Sequence, residues 1–191
     1  MNITQQKTIA DHILEQMFTI DPYVILAGGA PRDWLLGNTA NDLDIYFYSH
    51  ANARDTKKQL EIALGQSVAY LSKDSPAKSM YKHMEALVRV FETTIKGMKV
   101  QLIQLATPKD TFRVVDKMSV SICKAWYKGG VINTHTDFKL TQRSGIMFLS
   151  EGYKWSDPHP KKMCERFRGV YRQGDRERCV KALLDKLEEK E

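Results

Sequence analysis

The chain has 191 residues, 42% of them hydrophobic and 27% charged, with a formal net charge of +6; this is room for one domain plus an appendage and the balance of an ordinary globular protein. No apolar run approaches the ~20 residues of a membrane span, and the first residues, MNITQQKTIADHILEQM, lack the basic-then-apolar pattern of a secretory signal, so a cytoplasmic protein is expected. Cys123, Cys164 and Cys179 are odd in number and widely spread, which argues against a disulfide framework and a zinc site and for reduced, mostly buried thiols.

Ile9, Ile13, Leu14, Met17 and Phe18 recur at helical spacing and predict a first helix over about residues 4–18. PYVILA reads as a short buried strand, broken by Gly28 and Gly29; Pro31 then suits the first turn of a helix over RDWLLG that stops at Gly37. LDIYFY is the next strand. Leu60, Ala63 and Leu64 mark a helix from Ala53 that Gly65 ends, and SVAYL is a further strand. The polar run from Ser72 to His83 reads as a loop. ALVRVFETTI and KVQLIQL flank Lys96-Gly97 as a hairpin. Thr107 as N-cap, Pro108 at the first helical position and Asp110 in the first turn form a helix start. SVSICKAWY, Gly129-Gly130 and VINTH predict another hairpin, GIMFL a strand, and the segment from His159 onward two helices separated at QGD.

Within LAGGAPRDWLLGNTANDLDIYFY, Asp42 and Asp44 are two apart on a strand, so both point to one face while Leu43 and Ile45 point to the core. Two carboxylates about 7 Å apart repel each other unless cations lie between them. Divalent ions meet that need: Mg²⁺ takes one or two carboxylates together with phosphate oxygens, and metal pairs hold both oxygens of a phosphoryl transfer. Gly28 and Gly29, lacking Cβ atoms, let the backbone approach a triphosphate, and Arg32 can add a charge-assisted contact.

GGAPRDWLLGNTANDLDI resembles the nucleotide-binding head of the DNA polymerase beta nucleotidyltransferase superfamily, in the form found in CCA-adding enzymes and poly(A) polymerases. Gly28, Gly29, Arg32, Asp33, Leu36, Gly37, Asp42, Asp44 and Ile45 fill the fixed positions of that motif. The resemblance implies an α+β fold with a mixed β-sheet over residues 1–150 and a basic helical extension over 151–191. It also implies Mg²⁺ (or Mn²⁺) held by Asp42 and Asp44, and a nucleoside triphosphate bound by Gly28, Gly29, Arg32 and Asp33. Asp33 can equally be structural, capping or pairing within the loop.

The superfamily places a third carboxylate on a later hairpin strand, where this chain has Gln101. An amide binds Mg²⁺ weakly and cannot act as a base, so either the chain binds nucleotide with little chemistry or another acid takes the role; Gln101 is counted among the nucleotide-binding candidates. A two-residue turn at Lys96-Gly97 would place Glu92 opposite Gln101 on the same face, making Glu92 the candidate third acid; an exposed strand residue is the equal alternative.

Lys161, Lys162, Arg166, Arg168 and Arg172 crowd the C-terminal third and would form a basic stripe suited to nucleic-acid phosphates. The aromatic residues among them, Phe167 and Tyr171, could stack a terminal base; the favoured reading is that Phe167, Val170 and Tyr171 pack on the core. His135 and His159, without partners at metal-ligand spacing, are read as loop residues, and the base-selecting motifs of CCA-adding enzymes are matched only weakly, Glu165 to Arg168 giving E-x-x-R without the preceding Asp. The expected function is a minimal nucleotidyltransferase moving NMP to an acceptor hydroxyl, with an RNA 3′ end as acceptor. The rivals are a degenerate binding module for a nucleic acid or host protein, favoured by Gln101, and an enzyme that nucleotidylates proteins.

Overall fold

The computed structural model describes residues 1–71, 87–108 and 113–188. Helix α1 (Ile3–Met17) opens with a capping box in which Asn2 and Gln5 satisfy each other's backbone N–H groups. It buries the stripe Gln6, Ile9, Ala10, Ile13, Leu14 and Met17. Then follow β1 (Ile25–Ala27), α2 (Gly29–Leu35), β2 (Asp42–Tyr48), α3 (Ala53–Leu64) and β3 (Ala69–Tyr70). Next come β4 (Leu87–Ile95), β5 (Met98–Leu105), β6 (Ala125–Lys128), β7 (Val131–Thr134) and α4 (Thr136–Ser144). The last elements are β8 (Ile146–Met147), α5 (Pro158–Arg166), β9 (Arg172–Gln173) and α6 (Arg176–Glu188).

Seven strands form one mixed sheet in the order β3-β4-β5-β2-β1-β6-β7, parallel at β2–β5 and antiparallel elsewhere. This is the α+β mixed-sheet architecture expected from the sequence. The β4–β5 hairpin turns through Lys96 (φ +49°) and Gly97 (φ +79°), a two-residue turn whose positive φ angles match the strand twist. That turn fixes the register, with Glu92 opposite Gln101 and Thr94 opposite Lys99. α3 is capped by Asn52 and stops at Gly65, which takes a left-handed conformation.

Alternation along β2 divides the molecule into two layers. Leu43, Ile45 and Phe47 join Leu26, Val100, Leu102 and Phe91 in a core covered by α1 and by Leu60 of α3. Each such fully buried side chain contributes about 1.5–3 kcal/mol. On the other face Tyr46, Ile103 and Val90 pack with Val114, Met118, Ile122, Phe138, Met163 and Phe167. The segment that follows the sheet's centre in sequence therefore folds back over the face carrying Asp42 and Asp44.

Three local expectations differ. Residues 121–123 form a short 3-10 turn rather than a strand, because Ser121 bonds sideways to Thr141 and to the Phe148 backbone. α4 fills the stretch between the second hairpin and β8, and His135 is its N-cap, its imidazole accepting from the Asp137 N–H. Val170 is 66% exposed, whereas Phe167 is buried. The loop expected at 72–83 lies outside the described residues, as do residues 109–112 of the helix expected to start at Thr107. No helix among the described residues is long and apolar enough to cross a membrane.

Candidate functional site

The glycine pair ends β1 and begins α2. Gly28 has φ +88°, and a Cβ there would also lie 3.4 Å from Met118 Cε, so the position needs glycine on backbone grounds. Its N–H donates to the Ala125 carbonyl at 2.9 Å, tying β1 to β6. α2 is only seven residues long, so the close approach of bare backbone, rather than a strong helix dipole, is what the glycines offer a phosphate.

Asp42 and Asp44 are half-buried on β2 and line a cleft of about 200 Å³ that Gly28, Gly29 and Gln101 also border. The parallel pairing of β2 with β5 sets Asp42 beside Lys99 and Asp44 beside Gln101. All four face the same side of the sheet as Glu92, which lies across from Gln101. Glu92 does not border the cleft; its Oε2 is 2.7 Å from Lys99 Nζ. That ion pair, followed by the nearby charges of Asp42 and Asp44, holds the Lys99 ammonium above its usual lysine range.

Arg32 and Asp33 border the cleft, but their charged ends are committed to each other. Arg32 Nε donates to Asp33 Oδ1 at 2.8 Å, and Arg166 Nη2 from α5 lies 2.9 Å from Asp33 Oδ2. Both motif residues are 3% exposed. Arg32 also directs Nη1 at the sulfurs of Cys123 and Met163 and stacks over the Phe167 ring. Arg32, Asp33 and Arg166 thus form a buried latch at the edge of the cleft, a pairing of the kind given above as the structural alternative for Asp33.

α5 supplies the opposite wall. His159, Lys162 and Arg166 line the cleft, the last two being four apart and so on one helical face. Lys161 and Arg168 border a separate groove beside Trp155 and Tyr171. The helix ends at Arg166, and Arg172 sits on β9, so the expected continuous basic stripe is divided between two surfaces.

His159 is the second residue of α5, not a loop residue, and its Nδ1 is 2.7 Å from Ser119 Oγ. Burial, helped by Arg32 and Lys162, lowers its pKa from 6.5 to about 4. The imidazole is therefore neutral in the folded chain at pH 7. Between pH 6.5 and 4 the unfolded chain binds a proton there and the folded chain does not, so stability falls on acidification by up to about 3 kcal/mol from this group. Denaturant titrations at pH 7 and 4.5 are expected to show that loss in the native chain and a clearly smaller one in His159→Gln; equal losses would remove His159 as the cause.

Asn41, Lys117, Ser119, Tyr153 and His159 line the cleft without having been marked by sequence. Lys99 was missed as well. Only the β2–β5 pairing brings it beside Asp42, and no local pattern signals that pairing.

The sequence model of the Gabija anti-defense 2 family (Gad2) matches residues 3–141. Among solved structures, the fold is similar to that of a CCA-adding enzyme in complex with ATP, at TM-score 0.60 and 13% identity, over 97% of this chain and 43% of that one. A CCA-adding enzyme with CTP gives 0.55 and 16%, over 88% and 40%. The Thermotoga maritima CCA-adding enzyme complexed with tRNA gives 0.54 and 16%, over 88% and 39%. The chain thus spans less than half the length of these structures, and at such identities the likeness is one of fold, the nucleotidyltransferase fold. No curated protein matches the sequence. The family match takes in the glycine pair, the aspartate pair and the whole seven-stranded sheet, and on that extent the chain belongs to the Gabija anti-defense 2 family.

Proposed function

We propose that the cleft binds a nucleoside triphosphate with Mg²⁺ or Mn²⁺ and transfers its NMP to an acceptor hydroxyl. The observation that carries this reading is that β2 presents Asp42 and Asp44 into the same cleft that Gly28 and Gly29 border. The donor set fits the ion: two carboxylates and the Gln101 amide are oxygen donors on neighbouring strands, and Mg²⁺ completes such a set with phosphate and water. When bound, the ion supplies charge neutralisation at the phosphates. Asp42 and Asp44 would hold it, the bare backbone at Gly29 would admit the phosphates, and Lys162 and Lys117 would meet their outer oxygens. The acceptor hydroxyl's oxygen would form its bond to the α-phosphorus as the bond from that phosphorus to the bridging oxygen breaks, with pyrophosphate leaving and the hydroxyl proton passing to water, and neutral His159 leaves the α5 wall free of a further fixed charge.

An RNA 3′ end is the acceptor we infer. Lys162 at the cleft and the exposed Lys161, Arg168 and Arg172 beyond it offer phosphate contacts to a strand entering beside α5. The family's description as an anti-defence protein against Gabija gives that acceptor a context, a component of the defence. The second reading, a binding module that keeps nucleotide without transferring it, is favoured by Gln101 standing beside Asp44.

The test is incubation with each labelled NTP, Mg²⁺ or Mn²⁺ and total RNA, beside the Asp42→Asn, Asp44→Asn double variant, on a denaturing gel. Label on RNA that both aspartates control is the expected result. Label on protein bands would move the acceptor to protein, and no label on either would favour the binding module.

A further inference from the structure

α6 is attached to the rest of the molecule along one face. Cys179 is buried against Ile146 and Phe148, with Ala182 and Leu140 packed beside them, and Lys186 Nζ donates to the Arg143 carbonyl at 3.1 Å. A second face is apolar and open: Val180, Leu184 and Leu187 are 39%, 53% and 64% exposed. At about 100° per residue these three fall within an arc of about 60°, its centre about 110° or more round the helix from Cys179, Ala182 and Lys186. Apolar side chains scattered singly over a surface need no explanation, but a stripe of three on one helix does. We propose that this stripe is the contact between two copies of the chain, whose α6 helices pack antiparallel across a two-fold axis beside Leu184.

The charges along α6 select that occupant. Residues 176–181 carry Arg176, Arg178 and Lys181 against Glu177, net +2, and residues 185–188 carry Asp185 and Glu188 against Lys186, net −1. A second copy running antiparallel sets each basic half against an acidic half, whereas a parallel copy sets like charge on like. With the axis beside Leu184, Val180 of each copy meets Leu187 of the other, and the two Leu184 side chains meet at the centre. Lys181 then comes level with the stretch between Asp185 and Glu188 of the other copy, on the same flank of the stripe. These three charges are exposed and have no ion-pair partner among the described residues, so they are available to one. The contact is isologous and closes on itself at two copies. One helix face per copy is a small interface, so the dimer forms reversibly with concentration.

The measurement is sedimentation equilibrium of the full chain over about 1–200 µM. The average mass is expected to rise from 21.9 kDa towards twice that value, and the Leu184→Asp, Leu187→Asp double variant to stay at 21.9 kDa throughout. Both leucines are more than half exposed, so the double variant keeps its fold, which circular dichroism verifies. Orientation is read by oxidising Leu184→Cys and Leu187→Cys, each on a Cys164→Ser background, because Cys164 is partly exposed while Cys123 and Cys179 are buried. Leu184→Cys is expected to yield a disulfide-linked dimer. Leu187→Cys is not, since its two copies would lie about 9–10 Å apart along the helices, beyond the ~7 Å Cα separation that a disulfide spans. A native chain that stays at 21.9 kDa at every concentration would overturn the proposal and give the stripe to a different partner. A dimer that survives the double aspartate change would move the interface off α6, and cross-linking at position 187 as strong as at 184 would overturn the antiparallel arrangement.

Discussion

Asp42→Asn combined with Asp44→Asn is expected to abolish metal-dependent nucleotide binding, with affinity for a triphosphate in Mn²⁺ falling at least about 100-fold, some 3 kcal/mol. The fold should survive the change. Both side chains are half-buried at the cleft rather than in the core, their apolar neighbours Leu43, Ile45 and Phe47 face the opposite layer, and asparagine preserves volume. The two carboxylates lie about 7 Å apart on one face and repel each other. The double variant should therefore unfold at an unchanged or slightly higher denaturant concentration, with Lys99 still paired to Glu92. Function and stability moving in opposite directions is the signature of residues kept for a ligand. Calorimetric titration of the analogue with and without Mn²⁺ checks the first half and a guanidinium titration the second. Metal-dependent affinity within threefold of the native chain would remove both aspartates from the site.

Much of this site was legible because it is contiguous. The glycines and aspartates fall within one short β-α-β run, where strand alternation and the missing Cβ atoms fix which way each group points. The β4–β5 register was legible for a similar reason: a two-residue turn at Lys96-Gly97 leaves one pairing, and Glu92 did arrive opposite Gln101. What Glu92 touches was not legible, since the diagonal contact to Lys99 depends on rotamers and on the neighbouring strand. The α5 wall was harder still. Lys162 and Arg166 share a helical face whatever the fold, yet Arg166 ends on Asp33, more than a hundred residues earlier in the chain. α4 and the 3-10 turn before β6 escaped because buried polar pairs hold them in place, Ser121 with Thr141 and Lys124 with Asp137. Hydrophobic periodicity carries no record of such pairs.

The latch between α2 and α5 supports the second large effect. Asp33→Ala should destabilise the chain by about 3–5 kcal/mol, because it leaves the Arg32 guanidinium charged and almost fully buried against two sulfurs and a phenyl ring, none of which neutralises it. Arg166→Ala should cost far less, on the order of 1 kcal/mol, since Arg166 is about one-third exposed and Asp33 retains Arg32 as partner. Removing both should cost nearly the same as removing Asp33 alone, since Arg166 has already lost its carboxylate. The single effects are therefore not additive. Guanidinium unfolding of the three variants measures the cycle, and near-equal costs for the two single changes would show that Asp33 serves Arg166 rather than Arg32. The latch also reaches the cleft. Arg166 joins α5 to α2 at the point where Lys162 and His159 form one wall and Gly28 and Gly29 the other, so Arg166→Ala should weaken nucleotide binding more than its small stability cost suggests. A motif aspartate that the sequence offers as a nucleotide contact would then hold the two walls of the cleft at their working distance.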